Sequence, residues 1–129
     1  MLFDGYTITV TGGVDKASVE LAENALGFKL SSDFVEYLLN YGTVELNGNE
    51  LFGLGVEDYR NIIIATTDER SLSQNFPENY CVIFNLGINS VLILLGNDGC
   101  IYQYSPQGIE KIFDSFNNWI LEEYVNYPR

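Results

Sequence analysis

An almost uncharged stretch, residues 80–113, constrains the fold of this chain more than any other feature. It carries 2 acidic residues and 1 basic residue, although the whole chain has 18 Asp/Glu, 6 Lys/Arg and a formal net charge of −12. Three apolar, strand-like runs lie inside it: Tyr80–Leu86, Val91–Leu95 and Cys100–Tyr104. Turn residues at 96–99 join the last two runs as a hairpin. We therefore expect these runs to form a buried antiparallel sheet.

The rest of the chain shows helical and strand patterns that place helices around such a sheet. Residues Tyr6–Thr11 alternate as a half-buried edge strand does. Asp15 is a suitable N-cap for a helix over about 16–26, and Gly27 is a suitable stop. The pattern predicts a single domain over 1–129 of the α+β class, with a mostly antiparallel sheet and helices packed around it.

Two further helices are predicted from their capping residues. Ser31 or Ser32 can cap a helix that runs to about Tyr41, where Gly42 ends it. Asp114 or Ser115 can cap a final helix that ends before Pro128.

Residues 43–79 combine turn signals with the largest share of the excess negative charge, because they hold 7 acidic and 2 basic residues. Asn47-Gly48 predicts a β-hairpin. A two-residue loop would place Glu45 opposite Glu50, which is unfavourable for like charges. We therefore expect a longer loop; the alternative is that a basic partner meets the pair. Thr66 and Glu69 have the spacing of a capping box, which predicts a short helix that starts there.

Composition excludes several classes of function. The chain has no histidine, the commonest general base and metal ligand near neutral pH, and no glycine-rich phosphate-binding motif. Its basic residues are scattered, whereas nucleic-acid binding requires a basic cluster. We expect no catalytic residue, no cofactor, no metal site and no nucleic-acid ligand. A hydrolase that uses two carboxylates stays open, and it would need a concave site with two inward-facing acids.

The cysteines and the apolar runs indicate where the protein acts. Cys81 and Cys100 lack the spacing of a zinc or redox motif. As parts of the first and third strands of a meander they would lie about 9–10 Å apart, too far for a disulfide. Two buried free thiols fit a reducing compartment, so we expect a cytoplasmic protein. Asp4 interrupts the N-terminus, so no signal peptide is expected. The aliphatic run Val91–Leu95 is too short to cross a membrane.

The acidic segment is the predicted partner-binding surface. A patch of carboxylates attracts a basic partner, and a tyrosine beside it suits a protein interface. Asp68 and Glu69 also have an alternative role as acids at a helix N-terminus. The predicted site residues are Glu45, Glu50, Glu57, Asp58, Tyr59, Asp68 and Glu69.

The order of motifs resembles the SUKH superfamily, whose pattern reads E-x-x-LG-x-x-LP-x-D-Y/F, followed by fL and yG. The matching residues are Glu23, Leu26-Gly27-Phe28-Lys29-Leu30, Ser32-Asp33-Phe34, Leu38–Gly42 and Glu50–Gly55. The C-terminal half of the family is resembled by Arg70, Pro77–Ile83, Leu94–Tyr104 and Ile112–Phe116. Ser31 stands where the family usually has proline, and serine can cap a helix start instead. The resemblance covers about residues 14–121, without the N-terminal strand.

The resemblance implies an α+β fold and a non-catalytic role. Bacterial members are mostly immunity proteins of toxin systems, often against nuclease or deaminase toxins, and fungal members are regulatory scaffolds of cell-wall synthesis. Together with the acidic segment, it predicts an immunity protein that neutralises a basic, nuclease-type toxin. The alternative is a regulatory interaction scaffold.

Overall fold

The computed structural model describes residues 2–125 and consists of helices together with two small sheets. In chain order the elements are β1 (Thr9–Val10), α1 (Lys16–Leu26), α2 (Ser32–Asn40), β2 (Val44–Leu46), β3 (Asn49–Leu51), α3 (Ile62–Leu72), β4 (Tyr80–Asn85), β5 (Leu92–Gly96), β6 (Ile101–Ser105), β7 (Gly108–Phe113), α4 (Phe116–Ile120) and a π-helical turn (Leu121–Val125).

Both sheets are antiparallel, which confirms the predicted α+β class. The smaller has the order β1-β2-β3 and the larger β4-β5-β6-β7. The two sheets meet where the Phe52 N–H donates to the Ile83 carbonyl, 3.0 Å away. The sequence pattern predicts a mostly antiparallel sheet, and the structure divides its strands between two antiparallel sheets that are joined at this point.

The first two helices begin and end close to their predicted positions. The Asp15 carboxylate accepts from the Ser18 N–H at 2.8 Å, and Gly27 ends α1 with φ 91°. Ser31 is the N-cap of α2, although its hydroxyl does not accept from the helix. Instead, this hydroxyl donates to Asp33 at 2.8 Å. The helix ends at Asn40, one residue before the predicted end.

Aromatic rings fill the core between α2 and α4. Phe34 and Tyr37 of α2 each have ring centroids 4.9 Å from Phe116, and all three side chains are buried. The Tyr37 hydroxyl donates to the carbonyls of Leu51 and Phe52, each at 3.0 Å, so it also fixes the end of β3 against α2. Burial raises the pKa of Tyr37 well above its usual value.

The acids in the motif that resembles SUKH proteins hold the helices together. Glu23 accepts from the Leu30 N–H at 2.8 Å and so closes the corner between α1 and α2. Asp33 accepts from the Phe34 N–H at 2.8 Å and from the Asn117 N–H at 3.1 Å. One carboxylate thereby satisfies N–H groups at the starts of α2 and α4.

The N-terminal strand is shorter and more exposed than expected. Only Thr9 and Val10 pair with β2, at the edge of the sheet, and both side chains are exposed. The pairing ends at Thr11, whose N–H donates to the Thr43 carbonyl at 3.3 Å while its side-chain oxygen accepts from the Thr43 N–H at 3.0 Å. Gly12 then turns the chain with φ 109°.

The predicted capping box at Thr66 and Glu69 is wrong. The N-cap of α3 is Asn61, whose side-chain oxygen accepts from Ile63 and Ile64 N–H groups at 2.8 and 3.3 Å. Thr66 is buried in the middle of the helix, where its Oγ1 accepts from the Val82 N–H at 2.9 Å. Asp68 and the capping partner Glu69 therefore lie in the second half of α3 and not at its N-terminus.

The C-terminal half confirms the three-stranded meander and adds a strand. The added β7 pairs with β6 through a turn at Pro106-Gln107. Both cysteines are free, but Cys100 is only half-buried. Ser115 is the cap of α4 and accepts from the Asn118 N–H at 3.1 Å. The predicted end of this last helix, before Pro128, lies outside the described residues.

Replacing Thr66 with valine should destabilise the fold. Valine keeps the shape but leaves the buried Val82 N–H without its acceptor, which should lower the free energy of unfolding by about 1–3 kcal/mol. Denaturant unfolding and hydrogen exchange of the Val82 amide measure this effect. Thr66→Ser is the matched control because it keeps the hydroxyl and the slow exchange. Equal Val82 protection in both variants would contradict the assignment.

Candidate functional site

The β2–β3 hairpin brings two carboxylates together. Asn47 and Gly48, with φ 51° and 81°, form a two-residue turn of the type that Asn-Gly favours. Glu45 therefore lies directly opposite Glu50. The expected longer loop is wrong, since Asn47 adopts the left-handed conformation that the tight turn requires. Like charges in this position destabilise the pairing of the two strands by about 0.2–1 kcal/mol.

Tyr59 holds one of these carboxylates in place. Its hydroxyl donates to Glu50, with distances of 2.6 Å to Oε1 and 2.8 Å to Oε2. Its ring makes an edge contact with Phe52, with centroids 6.1 Å apart, yet Tyr59 stays 56% exposed. The hydrogen bond to Glu50 raises the pKa of Tyr59, and burial and the negative charge of Glu50 act in the same direction.

The turn that carries Tyr59 is fixed by an internal ion pair. Arg60 lies with Nη2 2.8 Å from Asp58 Oδ2 and Nε 3.1 Å from Oδ1, and its own N–H donates to Oδ1 at 2.9 Å. These contacts, the side-chain hydrogen bond first, lower the pKa of Asp58. The Asn61 side chain also donates to the Val56 carbonyl at 2.9 Å. The charge of Asp58 is thus compensated within the turn, whereas Glu57 is exposed.

An open groove of about 330 Å³ lies between the hairpin and the loop that follows β4. We call it the hairpin groove. Its lining residues are Gly48, Asn49, Glu50, Phe52, Tyr59, Phe84, Asn85, Leu86 and Gly87. Glu50 supplies its acidic group, and Tyr59 and Leu86 supply exposed apolar surface.

Asp68 and Glu69 belong to another part of the surface. Glu69 lines a separate groove of about 720 Å³ together with the β6–β7 turn, and Asp68 is exposed on α3. Within residues 2–125, no hydrogen bond or ion pair joins either residue to the hairpin groove. The predicted set therefore divides into a hairpin group (Glu45, Glu50, Glu57, Asp58 and Tyr59) and a helix pair (Asp68 and Glu69).

Sequence reasoning left out several residues of the hairpin groove. Phe84 and Leu86 come from the strand-like run after Tyr80, which was assigned to the buried sheet alone. Arg60, which neutralises Asp58, also lies outside the predicted set. The spacing of Asp58 and Arg60 in Asp-Tyr-Arg is the signal that indicates such a pair.

The side chains at this surface suit binding through charge and stacking. No group of three or more Cys, Asp and Glu that could hold a metal ion occurs in the part of the chain that the structure describes.

Burial raises the pKa of the Cys81 thiol to about 12, so this thiol is protonated at neutral pH. A third groove, between α2 and α4, holds the two acids Asp33 and Glu36, but Asp33 is already engaged by two backbone N–H groups.

A comparison with protein-family models assigns the chain. The model described as SUKH_5, SMI1-KNR4 cell-wall, matches residues 5–125. The chain belongs to the SUKH_5 family. This match includes the short N-terminal strand, which the sequence resemblance did not cover. Members of the wider family are commonly immunity proteins. No curated protein matches this SUKH_5 chain.

Among residues 2–125, no helix has the length and apolar character needed to span a membrane.

Glu50→Gln should return the pKa of Tyr59 towards its ordinary value. The uncharged amide removes both the strongest hydrogen-bond acceptor and the negative charge that oppose loss of the phenolic proton. An NMR titration of the labelled tyrosine ring measures the change. Glu57→Gln, a neutral substitution in the same segment, should leave the Tyr59 titration unchanged. An unaltered Tyr59 titration in Glu50→Gln would contradict the contact.

Glu45→Lys should stabilise the isolated SUKH_5 protein. It replaces a like-charge pair across β2 and β3 by an opposite-charge pair, so the free energy of unfolding should rise by about 0.5 kcal/mol at low salt. Urea unfolding at low and high salt measures the gain, which should shrink as salt screens the charges. Glu57→Lys changes the net charge equally and serves as the control. A similar gain in both variants would show that net charge, and not the Glu45–Glu50 pair, is responsible.

Proposed function

We propose that this SUKH_5 protein is an immunity protein that acts in the cytoplasm without catalysis. Its partner is a cognate toxin domain with a basic, nuclease-type surface. The hairpin group docks on that surface and blocks it sterically and electrostatically. Family membership supports the general role, and the acidic segment supports the chemistry of the partner.

The observation that carries this proposal is the arrangement of Glu45, Glu50 and Tyr59. Two carboxylates lie opposite each other, and no ion pair holds either one within residues 2–125. Arg60, in the neighbouring turn, is engaged with Asp58. A basic partner would remove the repulsion between Glu45 and Glu50, so the pair is better satisfied in a complex than in the free protein.

An acidic face also favours rapid encounter with a toxin that binds nucleic-acid phosphates. Long-range attraction raises the association rate of oppositely charged proteins, and added salt weakens it. Speed matters for an immunity protein because it must bind the toxin before the toxin reaches its substrate. The net charge of −12 supplies such a field.

A regulatory scaffold is the second candidate. The words "cell-wall" in the description of the matching family model favour it. A scaffold would bind housekeeping proteins and would show no protection against a toxin.

Co-expression with a toxin-domain protein encoded beside this chain separates the two candidates. An immunity protein restores growth and forms a stable complex with that toxin. Failure to restore growth, with the toxin active and the SUKH_5 protein folded, would contradict the proposal and favour the scaffold.

Reversing three acids of the hairpin group should abolish protection. The triple variant Glu45→Lys, Glu50→Lys and Glu57→Lys leaves Asp58 in place because Asp58 stabilises its turn through Arg60. We expect the association rate at low salt to fall at least about tenfold, and the remaining rate to depend less on salt. Stopped-flow binding and growth assays measure both effects.

The matched control reverses three exposed acids on other elements, Glu20, Glu36 and Glu110, with the same change in net charge. It should retain most of the protection. Equal loss in both triple variants would contradict a docking face at the hairpin. Circular dichroism and thermal unfolding establish that each variant is folded.

A further inference from the structure

We propose that the hairpin groove is a binding slot for a single arginine side chain of the partner protein. This inference rests on the proposed function, because it specifies the group that the acidic face recognises. The slot combines a fixed carboxylate, an exposed aromatic ring and an apolar rim within a volume of about 330 Å³.

The carboxylate of the slot is positioned before a ligand arrives. Glu50 is half-buried, and the Tyr59 hydroxyl donates to it at 2.6 and 2.8 Å. An ionised carboxylate offers about four lone-pair sites, so it can accept further donors beside the tyrosine. Because Tyr59 already restricts the carboxylate, a ligand loses less conformational freedom on binding.

The walls of the slot suit a flat cation. Tyr59 is exposed while its edge contact with Phe52 holds the ring in place. Leu86, 40% exposed, also lines the groove, at the start of the loop after β4. A guanidinium group stacks on an aromatic ring, and the methylene chain that carries it packs against apolar surface.

Charge indicates a cationic occupant. Glu45 lies opposite Glu50, so a second negative charge adjoins the slot. Neither carboxylate has an ion-pair partner within residues 2–125. A partner cation would therefore meet two carboxylates outside any ion pair, because the nearby Arg60 is engaged with Asp58.

Arginine fits this geometry better than lysine. The guanidinium group is planar, presents its donors as a fork to a carboxylate and stacks well on aromatic rings. The ammonium group of lysine is a compact, strongly hydrated charge that cannot use the ring in the same way. We expect the slot to prefer arginine, and the neutral isostere citrulline to be rejected because it lacks the charge.

The test uses the whole chain and three blocked amino acids: N-acetyl-arginine methylamide and its lysine and citrulline counterparts. Titration followed by ¹H–¹⁵N NMR should show arginine shifting the amides of residues 48–50, 59 and 85–87 at millimolar concentrations. Lysine should shift them less, and citrulline should not shift them. Glu50→Gln should weaken arginine binding by about tenfold, since it removes a charged hydrogen-bond acceptor.

Glu110→Gln, which neutralises an exposed acid on β7 outside the hairpin group, is the matched control and should bind arginine as the natural chain does. Tyr59→Phe keeps the ring but frees the carboxylate, so it should weaken binding less than Glu50→Gln does. Equal responses to arginine and lysine, unchanged binding in Glu50→Gln, or no localised shift at about 50 mM probe would each overturn the slot.

The growth assay separates this inference from the proposed function. If the natural chain protects against the toxin but arginine does not map to the hairpin groove, the slot is wrong and the immunity role stands. If arginine maps to the groove but no toxin is neutralised, the immunity role is wrong and an arginine-binding slot remains.

Discussion

The close approach of Gly53 to Gly42 is the constraint on which the rest of the structure depends. A Cβ atom on Gly53 would lie 1.8 Å from the Gly42 carbonyl oxygen, so no larger residue fits there without a shift of the backbone. The Gly53 N–H donates to Arg60 and its carbonyl accepts from Ile62, both at 2.9 Å, while the next residue, Leu54, donates to Gly42 at 3.0 Å. Gly53 thus joins the end of α2, the chain after β3 and the start of α3. It thereby fixes the turn that carries Tyr59 beside the hairpin that carries Glu50.

The residues of the family motif make contacts inside the fold, as Gly53 does. They therefore identify the fold more readily than they identify the partner. Glu23 closes a helix corner, and Asp33 satisfies backbone N–H groups at the starts of two helices. Gly53, in the segment Glu50–Gly55, belongs to the same structural set. Of the proposed binding residues, Glu45, Tyr59 and Leu86 lie outside those motif segments, whereas Glu50 is the first residue of one of them. Most of the proposed binding surface can therefore change while the scaffold is kept.

Local patterns predicted most of the helices and strands, since caps, glycine stops and apolar runs are local signals. They failed where a tertiary contact decided the structure. The hydroxyl of Thr66 accepts from a strand 16 residues away instead of capping a helix, and the exposed edge strand β7 mixes charged with apolar residues and lacks a clear alternation. At the candidate site the cluster of acids was visible in the sequence, but the hydrogen bond between Tyr59 and Glu50 depends on how two separate turns fold together.

Within residues 2–125, an ion pair compensates the charge of Asp58, but none compensates the charges of Glu45 and Glu50. Arg60 interacts electrostatically with Glu50, but its guanidinium group forms its ion pair with Asp58. The turn is thereby stabilised, while the carboxylates of Glu45 and Glu50 have no ion-pair partner within residues 2–125 beside an open aromatic groove. Stability alone would favour a cation opposite Glu50, because an opposite-charge pair across two strands is stabilising and a like-charge pair is not. Two facing carboxylates become favourable when a cation lies beside them, and in the proposed complex that cation comes from the partner. The same arrangement that weakens the free hairpin therefore strengthens its attraction for a basic partner.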